Sequence, residues 1–148
     1  MGVGAVITEI TEQKQIQQEL ERAKKRLEEA QSIAHLGNWE LNLQTQKIIW
    51  SKELFNIIGF DFNLGEPTLT QLISKVNIED QAKFVQALNQ LKNQGISYDL
   101  DLKIIRHDDG GTRYINAIGK PVYNEQNQIT DIYGTILDIS DRKQAEIA

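Results

Sequence analysis

Residues 98–104, YDLDLKI, alternate without a break: Tyr98, Leu100, Leu102 and Ile104 fall on one side, Asp99, Asp101 and Lys103 on the other. Period two over seven residues predicts a strand with one apolar and one solvated face. Immediately downstream, HDDGG (107–111) predicts a turn, with Gly110 and Gly111 free to take positive φ. Two further strands are expected over about 113–123 and 129–137, joined by the polar turn NEQNQ (124–128). Three successive strands with short turns form an antiparallel meander.

Upstream of the meander the period changes. Thr68–Val76 and Glu79–Lys92 predict two helices, the second carrying Phe84, Val85, Leu88 and Leu91 on one face. Before them, Gly65 and Pro67 mark a loop. KELFNIIG (52–59) predicts a short helix capped by Ser51 and ended by Gly59. NWELNLQ (38–44) and KIIW (47–50) predict two strands that pair as a hairpin on the edge of the meander. The expected architecture is α+β: a five-stranded antiparallel sheet with short helices on one face.

From Thr11 to about Ala34 there is neither Gly nor Pro, and good helix formers dominate. One long helix of about 35 Å is expected. Thr11 is read as its cap, Glu12 as a dipole partner, and Gly37 as the residue just past its end. Its apolar positions are Ile16, Leu20, Ala23, Leu27, Ala30 and Ala34, a 4-3-4-3-4 spacing that forms a single seam. Leu20 and Leu27 take a positions, so Glu19 and the following Lys24 attract across a parallel homodimer. The seam packs either on that partner helix or on the chain's own domain.

The 148 residues are 40% hydrophobic and 25% charged, which suits one folded, soluble domain. A net charge of −5, with no basic stripe, speaks against nucleic acid as a partner. Without cysteine, disulfides, thiolate metal sites and cysteine nucleophiles are excluded. No apolar run approaches the roughly 20 residues that span a bilayer, so no membrane contact is expected from this chain. The arbitrary start at Met1-Gly2 reads as a piece of a longer protein.

Five phrases in order carry a family resemblance: HLGNWELNLQT (35–45), IIWSKELFNIIGF (48–60), NIEDQAKF (77–84), DDGGTRYI (108–115) and GTILDISDRK (134–143). Over about Ala34–Lys143 the chain resembles the PAS sensory-domain family, in the form found in tandem in bacterial sensor histidine kinases. Two departures stand out: Asn77-Ile78 replaces the family's His-Pro pair, and Tyr114 stands where Trp is frequent. The resemblance makes GTILDISDRK the junction where the last strand passes into an outgoing helix. There Asp138 would accept hydrogen bonds, Ser140 would cap the helix and Asp141 would favour its positive end. AVITEITEQK (5–14) repeats that phrase, so residues 1–10 are expected to be the exit strand of an upstream PAS domain. The remaining organisation follows: a linker helix over 11–35, a PAS domain over 36–139, and the start of an outgoing helix over 140–148.

Chemistry is sparse. His35 is read as structural and His107 as a solvated turn residue. The resemblance implies no haem, since haem-binding family members carry an axial His on the helix that here, over 82–92, has none, and no flavin photochemistry, since the family's photosensors need a cysteine; no cofactor and no metal site are assigned. Asp99 and Asp101 read as a solvated face, and Glu79-Asp80 as partners of a helix dipole. No nucleophile–base–orienter set is present, so no catalytic residue is named. A ligand, if held, would lie between sheet and helices against Trp39, Trp50, Phe55, Ile58, Leu72, Leu88, Leu100, Leu102, Ile118 and Ile132. These residues equally suit a filled core, and both tryptophans are read as core.

The functional expectation is a cytoplasmic sensor, relay and dimerisation module of a multidomain bacterial signal-transduction protein. Its neighbours in that protein would be further PAS domains or a kinase domain, with the kinase a two-component sensor histidine kinase and this piece itself not an enzyme. The alternatives are a passive dimerisation scaffold and a PAS sensor of flavin or another small molecule.

Overall fold

The computed structural model describes the backbone of residues 2–147 and the side chains of residues 11–146. In chain order the elements are α1 (Gly2–Ala34), β1 (Leu36–Asn42), β2 (Ile48–Trp50), α2 (Lys52–Ile58), a 3-10 turn (Phe62–Leu64), α3 (Leu69–Lys75), α4 (Ile78–Gln94), β3 (Tyr98–Ile105), β4 (Thr112–Tyr123), β5 (Ile129–Asp138) and α5 (Ser140–Ile147). The strands form one antiparallel sheet in the order β2-β1-β5-β4-β3. The N-terminal hairpin therefore docks on the last strand of the meander, in register from Leu36↔Leu137 to Asn42↔Asp131.

The core lies on one face of this sheet. Leu54, Ile58, Leu91, Ile104 and Ile132 expose no surface, and α2, α3 and α4 supply the covering side chains. On α4, Phe84, Leu88 and Leu91 are buried, while Val85 stays half-exposed at the rim. Trp39 and Trp50 are directly opposite each other on β1 and β2, and both are buried. Nine of the ten residues expected to face inward belong to the core or pack against it. The exception is Ile118, which pairs with Asp99 and Thr135 on the opposite face. Strand alternation explains it: Ile115, Ala117 and Gly119 point inward, so residue 118 must point out.

Two expectations about the long helix are corrected. Residues expected as an exit strand over 1–10 are helical from Gly2 onward, and Thr11 therefore lies within the helix and does not cap it. A lone strand leaves its backbone groups unpaired, whereas a helix pairs them internally. Met1 and Ala148 are outside the described residues. The helix is ended by His35, in left-handed backbone at φ 56°, and not by Gly37. Gly37 belongs to β1, where an added Cβ would lie 2.8 Å from the Leu54 Cα; it is the place where α2 sits directly on the sheet.

The free edge of β3 is covered by the link between α3 and α4. The Asn77 N–H donates to the Lys103 carbonyl at 2.7 Å, and the Lys103 N–H donates to an Asp80 carboxylate oxygen at 3.0 Å. Asp80 thus does more than complement a helix dipole: it closes an edge that would otherwise template pairing with another chain.

A tyrosine hydroxyl is among the buried polar groups without a partner. The Tyr98 hydroxyl is enclosed without a hydrogen bond, and burial pushes its pKa above the usual tyrosine range. The unfolded chain ionises this phenol near pH 10 while the folded chain holds it neutral, so stability is full below pH 10 and falls as pH rises beyond it. Chemical denaturation between pH 8 and 11 should show this loss, and Tyr98→Phe should abolish it while leaving neutral-pH stability within about 1 kcal/mol.

Candidate functional site

The seam on α1 does not pack on the chain's own domain. Ile16, Leu20 and Leu27 are 66%, 69% and 59% exposed, and Ala23, Ala30 and Ala34 are exposed too. The helix meets its domain through one flank of its last two turns, where Glu28 and Gln31 are half-buried and Gln31 donates from Nε2 to Asn38 Oδ1 at 2.7 Å. An apolar stripe thus stands free along the helix.

At the base of that helix the chain's two junctions touch. The Asp138 N–H donates to the His35 carbonyl at 3.0 Å, beside the Leu36↔Leu137 pair. The end of α1 and the start of α5 are therefore one hydrogen bond apart. Asp138 in turn accepts from the Ser140 N–H at 2.9 Å, with Arg113 3.9 Å from its carboxylate. Asp141 stands in the first turn of α5, and Arg142 reaches Asp101 on β3 at 3.8 Å. Asp101 and its neighbour Asp99 are exposed and both accept from the Asn116 amide.

Both serines expected as helix caps do something else. Ser140 is buried, and its hydroxyl accepts from the Tyr114 N–H at 3.0 Å. β4 runs on past the last rung of its ladder with β5, at Ile115↔Asp138, and the serine hydroxyl supplies the next acceptor. Ser51 acts likewise: its hydroxyl accepts from the Asn38 N–H at 2.9 Å and makes no cap bond to α2. Each side chain extends a ladder where a backbone strand has run out. Replacing Ser140 with Ala should leave the Tyr114 N–H unpaired, at about 1–2 kcal/mol. Faster amide exchange at Tyr114 and across α5 is the expected readout.

Between these junctions lies a polar cavity of about 160 Å³. Glu53, Asn56 and Ile57 of α2 form one wall, Arg106 and Arg113 flank the β3–β4 turn, and His35, Asp138 and Asp141 close it from the two helix ends. Arg106 is held by Asp108 at 2.9 Å, by Asp109 at 3.5 Å and by the Asn56 carbonyl at 3.0 Å. The Asp109 carboxyl is kept below its ordinary pKa, chiefly by the N–H donated from Gly111, with Arg106 and Arg113 adding to it. Nothing in the sequence alone singles out Glu53, Arg106 and Arg113, because they come from three separate elements. His107 is exposed in the turn, where its ring stacks on Phe60 at 4.3 Å.

The interior offers little chemistry. Trp50, Phe55 and Phe60 pack as an aromatic cluster with ring centroids 5.2 and 5.8 Å apart, and the Trp50 indole N–H is buried without a partner. Among the described residues no group of three or more His, Asp or Glu is arranged to hold a metal, and no helix is long and apolar enough to cross a membrane.

Comparison with known proteins gives a consistent pattern. The PAS fold family matches residues 47–136, more than half of the chain. A blue-light-activated histidine kinase of Brucella ovis is 27% identical over 136 residues, covering 91% of this chain and 26% of the kinase. Hybrid signal transduction histidine kinase I of Dictyostelium discoideum is 25% identical over 115 residues, covering 76% of this chain and 6% of that protein. The chain thus spans about a quarter or less of these curated relatives. Among solved structures, a sensory box histidine kinase/response regulator from Burkholderia thailandensis aligns at a TM-score of 0.63 with 25% identity, over 82% of this chain and 89% of that one.

Proposed function

Because the chain belongs to the PAS fold family, we propose that it is the relay and dimerisation module of a cytoplasmic multidomain sensor histidine kinase, placed between an upstream PAS domain and a further PAS or kinase domain. The observation that carries this reading is the bond from Asp138 N–H to the His35 carbonyl. A twist or shift of the incoming helix acts on the root of the outgoing helix through a single contact, with no intervening loop to absorb it. The free stripe of α1 supports a parallel homodimer as the device that carries the movement. Alanine at three of its six positions keeps that packing weak, which suits a module that must hold two states of similar energy.

The repeated phrase supports the placement. EITEQK (9–14) and DISDRK (138–143) lie 129 residues apart, and that interval is then one linker helix plus one domain. The packed aromatic interior favours relay over ligand binding in the core. The proposal does not extend to blue-light sensing, because that photochemistry in the family uses cysteine and the chain has none.

The test is the phase of the helix. In the longer protein that carries this module, inserting seven residues after Lys24 keeps the seam in line, whereas inserting two or five swings it by roughly half a turn. Kinase output should survive the first and be lost or locked by the second. Equal output from both would end the relay reading.

A further inference from the structure

The polar cavity at the junction borders the relay contact, since His35 and Asp138 line it, and two other residues of its walls carry buried orphan atoms of opposite kind. Glu53 is only 8% exposed, and its Oε2 has no hydrogen-bond partner. Arg106 Nε is likewise enclosed and unpaired, although the rest of its guanidinium is engaged by Asp108, Asp109 and Asn56. The two line the same cavity without bonding to each other. Native folds rarely leave such atoms unmet, so a ligand that draws either side chain toward the cavity completes a bond: a donor for the carboxylate, an acceptor for the guanidinium.

Further charge of both signs surrounds them. Asp141 adds to the acidic side, and Arg113, 41% exposed and only loosely paired with Asp138, adds to the basic side. A lone anion would serve the arginines and leave Glu53 facing a like charge. A lone cation would do the reverse. We infer that this cavity binds a small zwitterion of the α-amino-acid class, its ammonium toward Glu53 and Asp141 and its carboxylate toward Arg106 and Arg113. The volume of about 160 Å³ is well above the roughly 10–15 Å³ of cavity space that one water needs. A molecule of glycine's size has room there. The site stands on this geometry alone and does not depend on the relay reading.

Titration of the ¹⁵N-labelled 148-residue chain with glycine, acetate and methylammonium in turn, at constant ionic strength, separates the cases. Glycine should give saturable amide shifts at His35, Glu53, Arg113 and Asp138, with each half-molecule binding roughly tenfold more weakly or worse. Glu53→Gln and Arg113→Gln should each weaken glycine at least about tenfold. Arg113 is exposed enough that its variant keeps the test alive if Glu53→Gln fails to fold. Three results would overturn the assignment. One is no saturable shift up to about 50 mM glycine, which leaves a cavity for water alone. The others are acetate binding as well as glycine, and unchanged glycine affinity in both variants.

Discussion

Gly134→Ala is expected to lower the unfolding free energy by about 3 kcal/mol, a fall of roughly 9 °C in Tm for a chain of this size. Gly134 sits at the centre of β5, directly opposite Trp39 on one side and Gly119 on the other. A Cβ there would collide with the Ile118 carbonyl of β4 and lie 2.8 Å from the Trp39 ring. The carbonyl belongs to the backbone of a central strand and the tryptophan is wedged among buried neighbours, so neither can withdraw cheaply. The strain comes from packing, since Gly134 is not among the glycines with positive φ. Urea unfolding of the variant beside Thr135→Ala, on the outer face, gives the comparison. A loss below about 0.5 kcal/mol at Gly134 would mean that the Trp39 side of the core is loosely packed.

The second large effect is on assembly. Replacing Leu20 and Leu27 together by Ser should convert a dimer into a monomer. Four leucine side chains per dimer, each worth about 1.5 kcal/mol or more when buried, amount to about 6 kcal/mol, or roughly 10⁴-fold in dissociation constant. The domain itself should be untouched, because both leucines are exposed in the single chain and contribute nothing to its core. Sedimentation equilibrium and thermal unfolding at high dilution read the two quantities separately. A loss of monomer stability alongside assembly would show that the stripe also serves the fold.

Most of the fold is legible in local pattern. YDLDLKI shows its two faces in its spelling, and Gly59 ends its helix in left-handed backbone as its position foretells. What local pattern leaves open is everything that depends on a neighbour distant in sequence. Ile118 reads as core because it is apolar, yet the inward places on β4 belong to residues 115, 117 and 119. Ser51 and Ser140 read as caps because serine before a helix is a cap by habit; only the sheet shows that Asn38 and Tyr114 need an acceptor there. Gly37 reads as a helix terminator until Leu54 is seen above it. The first ten residues read as a strand by likeness to the exit phrase, but a strand exists only beside another strand. The candidate site divides the same way. The seam is written in a heptad, whereas the cavity joins Glu53, Arg106, Arg113 and Asp141 from four elements and has no linear signature.

The absence of cysteine makes the central claim directly testable. In a parallel, in-register dimer Leu20 meets its own copy across the seam, and a disulfide needs Cα atoms only about 4.4–6.8 Å apart. Under mild oxidation Leu20→Cys should form a covalent dimer nearly completely, while Lys25→Cys, on the opposite side of the helix, should remain monomeric. A Leu20→Cys chain that stays monomeric, or a Lys25→Cys chain that cross-links equally well, would contradict the parallel coiled coil and the relay built on it.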